Sequence, residues 1–160
     1  MPDTTALREL FSSRPAILRF SDRAASIPGD YRVSWRLSIV VLLLQRGRAK
    51  SLQLEHLHVL WWAVRSAATR KLLLRFFEGK GRPDEMLVRF DPSLSVTLDL
   101  ALGAGLVDVG ANGKVMVTAT GVALAASLKD QPVLTAEKQF IDELPRSITK
   151  AQFDQILDWK

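Results

Sequence analysis

The chain has 160 residues, 48% of them apolar, and a formal net charge of +5, which describes one globular domain with a core of its own and excludes a disordered tail. It contains no cysteine, so disulfides and thiolate zinc sites are excluded. The charge is uneven. Between Tyr31 and Arg82 stand Arg32, Arg36, Arg46, Arg48, Lys50, Arg65, Arg70, Lys71, Arg75, Lys80 and Arg82, opposed only by Glu55 and Glu78, whereas the signs nearly balance from Lys129 to Lys160. A basic half fits a polyanion or an acidic protein surface as partner, and equally a solvated surface.

Residues 1–30 lack sustained periodicity. The start, Met1-Pro2-Asp3-Thr4-Thr5, has neither the basic head nor the apolar run of a secretory signal. Residues 15–20 are expected to form a short strand, and Pro28-Gly29-Asp30 a turn. A helix is expected over 33–45. Leu37, Val40, Val41 and Leu44 share one stripe, Ile39, Leu42 and Leu43 fill much of the rest, and a helix apolar nearly all round is a buried one. Its apolar run, 37–44, is far short of the ~20 residues that span a bilayer, so a soluble, cytoplasmic protein without a membrane partner is expected. Gly47 ends the helix, Ser51 is expected to cap the next one over 52–65, and the stripe there is Leu57, Leu60, Trp61 and Val64. A third helix, 68–78, is expected to bury Leu72, Leu73, Phe76 and Phe77. Gly79 to Pro83 is a break, and 86–90 reads as a short strand.

Asp91-Pro92 has the form of an N-cap followed by proline in the first turn of a helix that runs to about residue 104, with Leu94, Leu98, Ala101 and Gly105 on one face. Two alternating strands, 106–109 and 114–118, flank Gly110-Ala111-Asn112-Gly113, and Asn-Gly is a strong hairpin signal. A helix over 120–128 follows. Helices, then helix–hairpin–helix with a short strand upstream, is winged-helix order. The fold expected is therefore mainly α with a small β-hairpin: an N-terminal segment (1–30), a winged-helix-type domain (31–129) and a C-terminal helical pair (130–160). In that pair Thr135 is placed to cap the first helix, Pro145 to break it, and Thr149 with Gln152 to form a capping box for the second. Two readings of the pair stand: it packs back on the domain, or it is a docking or dimerisation arm.

Catalytic signals are weak throughout. His56 and His58, the only histidines, lie two apart on a helix and so point about 200° apart, which stops them sharing one metal. No serine has a visible base partner, Gly79-Lys80-Gly81 and Gly113-Lys114 lack the phosphate-cradling spacing, and Asp84-Glu85 reads as loop charge. No cofactor is expected. Winged-helix order suggests DNA binding, yet residues 93–104, the helix that would enter a groove, carry no Lys, Arg, Asn or Gln and include Asp99. The wing tip offers only Lys114. Phosphate contacts are thus expected from Arg65, Arg70, Lys71 and Arg75, without sequence preference. Trp61 belongs to the inward stripe of its helix, so its neighbour Trp62, about 100° away, falls at the boundary. Trp62, Phe140, Phe153 and Trp159 are the candidate partner-interface residues, unless the last helix folds over Trp62 and the two rings bury each other.

Several stretches carry a family resemblance: Leu18-Arg19-Phe20, Trp35-Arg36-Leu37, the run from Leu57 to Ser66, Gly105-Leu106-Val107 into Thr118-Ala119-Thr120-Gly121, and the close from Glu137 through Ile148-Thr149 to Trp159. Here the chain resembles the small middle components of bacterial three-component ABC-ATPase (ABC-3C) anti-phage systems, the group that includes Lamassu-type systems. The resemblance covers most of the chain from about Pro15 onward. It implies a non-enzymatic adaptor that links an SMC/Rad50-like ABC ATPase to an effector protein, often a nuclease. The alternative is a winged-helix DNA-binding transcriptional regulator.

Overall fold

Val33–Arg46 (α1) is the central helix: Ile39, Val40, Val41, Leu43 and Leu44 are fully buried, more than one stripe could supply. The structure, a computed structural model, describes residues 32–158; the expected strand at 15–20, the turn at 28–30 and Trp159 lie outside them. Leu54–Val64 (α2), Pro92–Gly103 (α4), Ala119–Lys129 (α5) and Thr135–Glu143 (α6) all pack on α1. Each buried aliphatic side chain contributes about 1.5–3 kcal/mol, so α1 anchors the domain.

After α1 the backbone is crowded. A Cβ on Gly47 would meet the Ser51 carbonyl oxygen at 2.1 Å, so the residue is glycine for space, its φ of −68° being ordinary. The chain then turns through Ala49 and Lys50, both at positive φ, into Ser51–Gln53 (β1). Ser51 is therefore a strand residue and not the cap of the next helix. Its hydroxyl donates to the Arg48 carbonyl, and α2 starts at Leu54 with no side-chain cap. Tertiary pairing captured these residues: β1 joins Lys114–Val117 (β3) antiparallel, Leu52 opposite Val115. Val107–Val109 (β2) pairs with the other edge of β3, giving the order β1-β3-β2. The upstream strand of the winged-helix arrangement is thus β1. Residues 86–90 form no strand, although Met86 is buried.

Ala67–Phe77 (α3) packs on α2, capped by Ser66, whose hydroxyl accepts from the Thr69 amide at 3.1 Å. Only Leu73 is fully buried there; Leu72, Phe76 and Phe77 are half-buried, and the side of α3 that carries Lys71 and Arg75 is open to solvent. The Asp91 cap forms as expected, its carboxylate accepting from the Ser93 amide at 2.8 Å. Leu94, Leu98 and Ala101 are buried, while Gly105 is exposed at φ 66° and ends the helix in the left-handed region. The hairpin turn closes with Gly113 at φ 73° and a Gly110 amide to Lys114 carbonyl bond of 2.9 Å. The architecture is mainly helical with a small antiparallel sheet, in winged-helix order with the additional helix α3 between α2 and α4.

The C-terminal pair packs on the body. Trp35 Nε1 donates to Glu137 Oε1 at 3.3 Å, the Arg46 guanidinium donates to the carbonyl oxygens of Asp142 and Leu144, and Lys138 Nζ caps the end of α5 through the carbonyls of Leu128 and Gln131. Helix α6 starts behind Leu134 in a left-handed conformation, so Thr135 is its first residue and not its cap. Lys150–Leu157 (α7) has the expected Thr149–Gln152 capping box. Phe140 and Phe153 belong to the same buried cluster as the α1 and α2 side chains, so residues 130–158 share the core of the domain.

The Asp91 cap lends itself to a stability measurement. Burial alone would raise its pKa, but hydrogen bonds from Ser93 and the Arg65 charge beside it outweigh this and hold the carboxyl below the usual range. A depressed carboxylate stabilises the fold above its unfolded pKa, and that contribution is lost as pH falls through the folded value. Asp91→Ala is expected to cost about 1 kcal/mol at neutral pH in chemical denaturation. Asp91→Asn, which keeps an N-cap acceptor, should cost less and should flatten the loss of stability below about pH 4.

Candidate macromolecular interface

The four expected phosphate contacts sit on or beside α3, where the structure brings Arg70, Lys71 and Arg75 to one groove of about 470 Å³ between α3 and α6. Their charge is largely answered within the fold. Arg65 is ion-paired with Asp91, joining the end of α2 to the cap of α4. Arg70 lies 3.9 Å from Glu137 and donates to the Val64 carbonyl. Arg75 lies 3.8 Å from Glu85 and donates to the Lys80 carbonyl. Glu78 and Glu143 line the same groove. Of the four, only Lys71 is exposed with no carboxylate partner among the described residues. Arg70 and Arg75 fasten α3 to its neighbours, and Arg65 ties α2 to α4. Neutral carbonyls and carboxylates at hand make the groove a mixed surface, not a positive one.

The four candidate anchor residues also separate. Phe140 is 2% and Phe153 is 1% exposed, so both are core side chains and neither presents a ring outward. They were amphipathic-stripe residues in short helices, and such a pattern is the same whether the stripe meets its own domain or a partner. Trp61 is buried and packs edge-on against Trp35 at 5.8 Å, as its inward stripe requires. Trp62 is half-buried against the core. Trp159 lies outside the described residues, so its expected pairing with Trp62 does too.

The outer face of α4 is the surface that sequence reasoning missed. Val96 is 54% and Leu100 is 43% exposed, one turn apart on the same stripe. The segment leading into α4 exposes Leu87 and Phe90 as well, the latter standing edge-on to His58 at 4.6 Å. Asp99 is the only charged residue on α4. The signal was present: residues 93–104 are apolar on two faces, Leu94/Leu98/Ala101 and Val96/Leu100, and a helix of a small domain buries one.

Both histidines are explained by packing. The His56 ring stacks on Phe153 at 4.1 Å and the His58 ring meets Phe90, so they point to different neighbours and do not converge. Asp84 faces Arg82 at 2.6 Å and Glu85 faces Arg75, the loop-charge role expected of that pair. Among the described residues no three acidic or histidine side chains are grouped to hold a metal ion, and no helix is long and apolar enough to cross a membrane.

No family model, no curated protein and no solved structure matches this chain.

Burial lowers the pKa of both histidines below 6.5, and around His56 the charges of Lys150 and Lys114 act in the same direction against Asp154 and Glu55. A histidine with a lowered folded pKa resists protons that the unfolded chain accepts. Stability is then complete above pH 6.5 and falls as pH drops through that value to the folded pKa. Urea midpoints measured from pH 7.5 to 5 should fall in the native protein, and the slope should shrink in His56→Phe, which keeps a ring against Phe153.

Proposed function

We propose that this chain is a non-enzymatic adaptor that docks a partner protein through the outer face of α4. The observation that carries this reading is the chemistry of that face. In a DNA-reading winged helix the helix before the hairpin offers hydrogen-bonding and cationic side chains to bases and phosphates. Here the same helix turns Val96, Leu100 and Asp99 outward. Exposed aliphatic side chains gain by burial against protein, at about 25 cal/mol per Å², and gain nothing from phosphates, while Asp99 would be repelled by them. The regulator alternative needs the opposite lining.

The resemblance to the middle components of three-component ABC-ATPase systems supplies the kind of partner: an SMC/Rad50-like ABC ATPase, with an effector such as a nuclease as the second subunit, in an anti-phage complex in the cytoplasm. The test is co-expression with an SMC/Rad50-like ABC ATPase of such a system. Val96→Lys combined with Leu100→Lys should leave the fold unchanged, since both side chains face outward. It should weaken co-purification at least about tenfold, because two charges would be buried in an apolar contact. Unchanged recovery of the complex with both lysines present would end this reading. A symmetric footprint on an operator, lost with the same variant, would establish the regulator in its place.

A further inference from the structure

A second surface gathers cations, three of them without an ion pair among the described residues. The turn after α1, the edge strand β1, the start of β3 and the link from α6 into α7 enclose a groove of about 900 Å³, about twice the volume of the α3–α6 groove. Its lining includes Arg46, Arg48, Lys114, Arg146 and Lys150, with the His56 ring beside Phe153, and no carboxylate among the described residues. The contrast with the α3–α6 groove is chemical: there Glu78 and Glu143 share the lining with the cations.

Each cation can be followed to its partner. Lys150 is paired with Asp154 at 2.7 Å, from outside the lining. Arg46 donates to two backbone carbonyls, which satisfy hydrogen bonds and leave its full charge in place, and its Nε is buried without a hydrogen-bond partner among the described residues. Arg48, Lys114 and Arg146 have no ion pair among the described residues. They come from three separate stretches of chain, and only tertiary folding brings them to one groove. Beneath them Leu60 and Phe153 are buried apolar side chains, and low-dielectric walls strengthen the field of the lining cations, with Asp154 and Glu55 near His56 acting against it. The N-terminal end of α7, the positive end of its dipole, opens into the same space through Thr149 and Lys150.

We propose that this groove binds the sugar–phosphate backbone of a nucleic acid, without reading its sequence. The cations are point charges spread around an open groove much larger than one phosphate. No glycine-rich loop wraps a single anion there, which separates a backbone track from a nucleotide cradle. The proposal is independent of the adaptor reading, since the groove shares no residue with α4. It also moves the expected phosphate contacts from Arg65, Arg70, Lys71 and Arg75 to three cations that share one groove and have no ion pair among the described residues.

The test uses the full chain and a labelled 20-nucleotide DNA, single-stranded and duplex, in two unrelated sequences, followed by fluorescence anisotropy between about 50 and 200 mM salt. The triple variant Arg48→Ala, Lys114→Ala, Arg146→Ala should weaken binding by more than about tenfold on every sequence and reduce the slope of log affinity against log salt by about 2–3. The charge-keeping variant Arg48→Lys, Lys114→Arg, Arg146→Lys should restore it, which separates lost charge from lost fold. Lys71→Ala with Arg75→Ala should change affinity less than about twofold. The His56 ring resonances should move on addition of DNA while those of His58 stay, since His56 lines the groove and His58 packs on Phe90. Absence of DNA binding by the native chain, an effect confined to the α3 variant, or a marked preference for one sequence would each overturn the proposal. So would saturation of the groove by tripolyphosphate, read at His56, with no response to DNA.

Discussion

Phe153→Ala should lower the stability of the domain by about 3–5 kcal/mol, and its melting temperature by about 10 °C. The ring is 1% exposed and lies flat on His56 at 4.1 Å, so its removal takes away an aromatic stack as well as buried area. Helix α7 has eight residues, too few to be stable alone, and its capping box contributes only about 1 kcal/mol. Its persistence depends on Phe153 and Ile156, both buried. Loss of the ring should therefore release α7 as a unit and raise hydrogen exchange over residues 150–157. Cutting the chain after Pro145 should cost at least as much. A melting temperature within about 2 °C of the native protein for both variants would make the pair a detachable arm. Trp62→Ala, at a half-buried position, is the milder comparison.

Gly121→Ala should destabilise by about 2–3 kcal/mol, against the usual sign of such a change. Within a helix, alanine in place of glycine ordinarily gains about 0.5–1 kcal/mol, because glycine loses more backbone freedom on folding. Gly121 lies in the first turn of α5, where its amide donates to the Thr118 hydroxyl at 3.1 Å. A Cβ there would stand 2.2 Å from the Leu106 carbonyl oxygen and 2.4 Å from Val117 Cγ2. The carbonyl belongs to the backbone that enters β2, and it already accepts from the Thr118 amide at 3.0 Å, so it has no room to retreat without opening the hairpin. The steric term exceeds the entropic gain. Chemical denaturation of Gly121→Ala beside Gly103→Ala, whose Cβ would meet nothing within 4 Å, measures the difference directly: the second variant should be neutral or stabilised. Equal midpoints for the two would contradict the close packing of α5 on the hairpin.

Local chemistry carried most of the element map. The all-round apolar helix 33–46, the Asp91-Pro92 cap, the Asn112-Gly113 hairpin and the Thr149–Gln152 capping box are each decided within a few residues, and each stands where its residues place it. Ser51 and residues 86–90 went the other way for one reason. A three-residue edge strand has almost no signal of its own and exists only because β3 offers a partner, and residues 86–90 have none. Phe140 and Phe153 had the right stripe, but a stripe does not say what covers it.

Charge is where sequence and tertiary structure divide most clearly. The sequence by itself determined that the first half is basic, that the helix before the hairpin lacks base-reading side chains, and that the fold is helical with a small wing, because these depend on residue type and on neighbours three or four places away. Which cations have no ion pair among the described residues was decided only by folding. Arg65, Arg70 and Arg75 meet Asp91, Glu137 and Glu85, carboxylates 10 to 67 places away, whereas Arg48, Lys114 and Arg146, nearly 100 places apart at the extremes, share one groove with no acid among the described residues of its lining. Coulomb energy depends on distance in space and on the dielectric between the charges, and neither is a property of spacing along the chain.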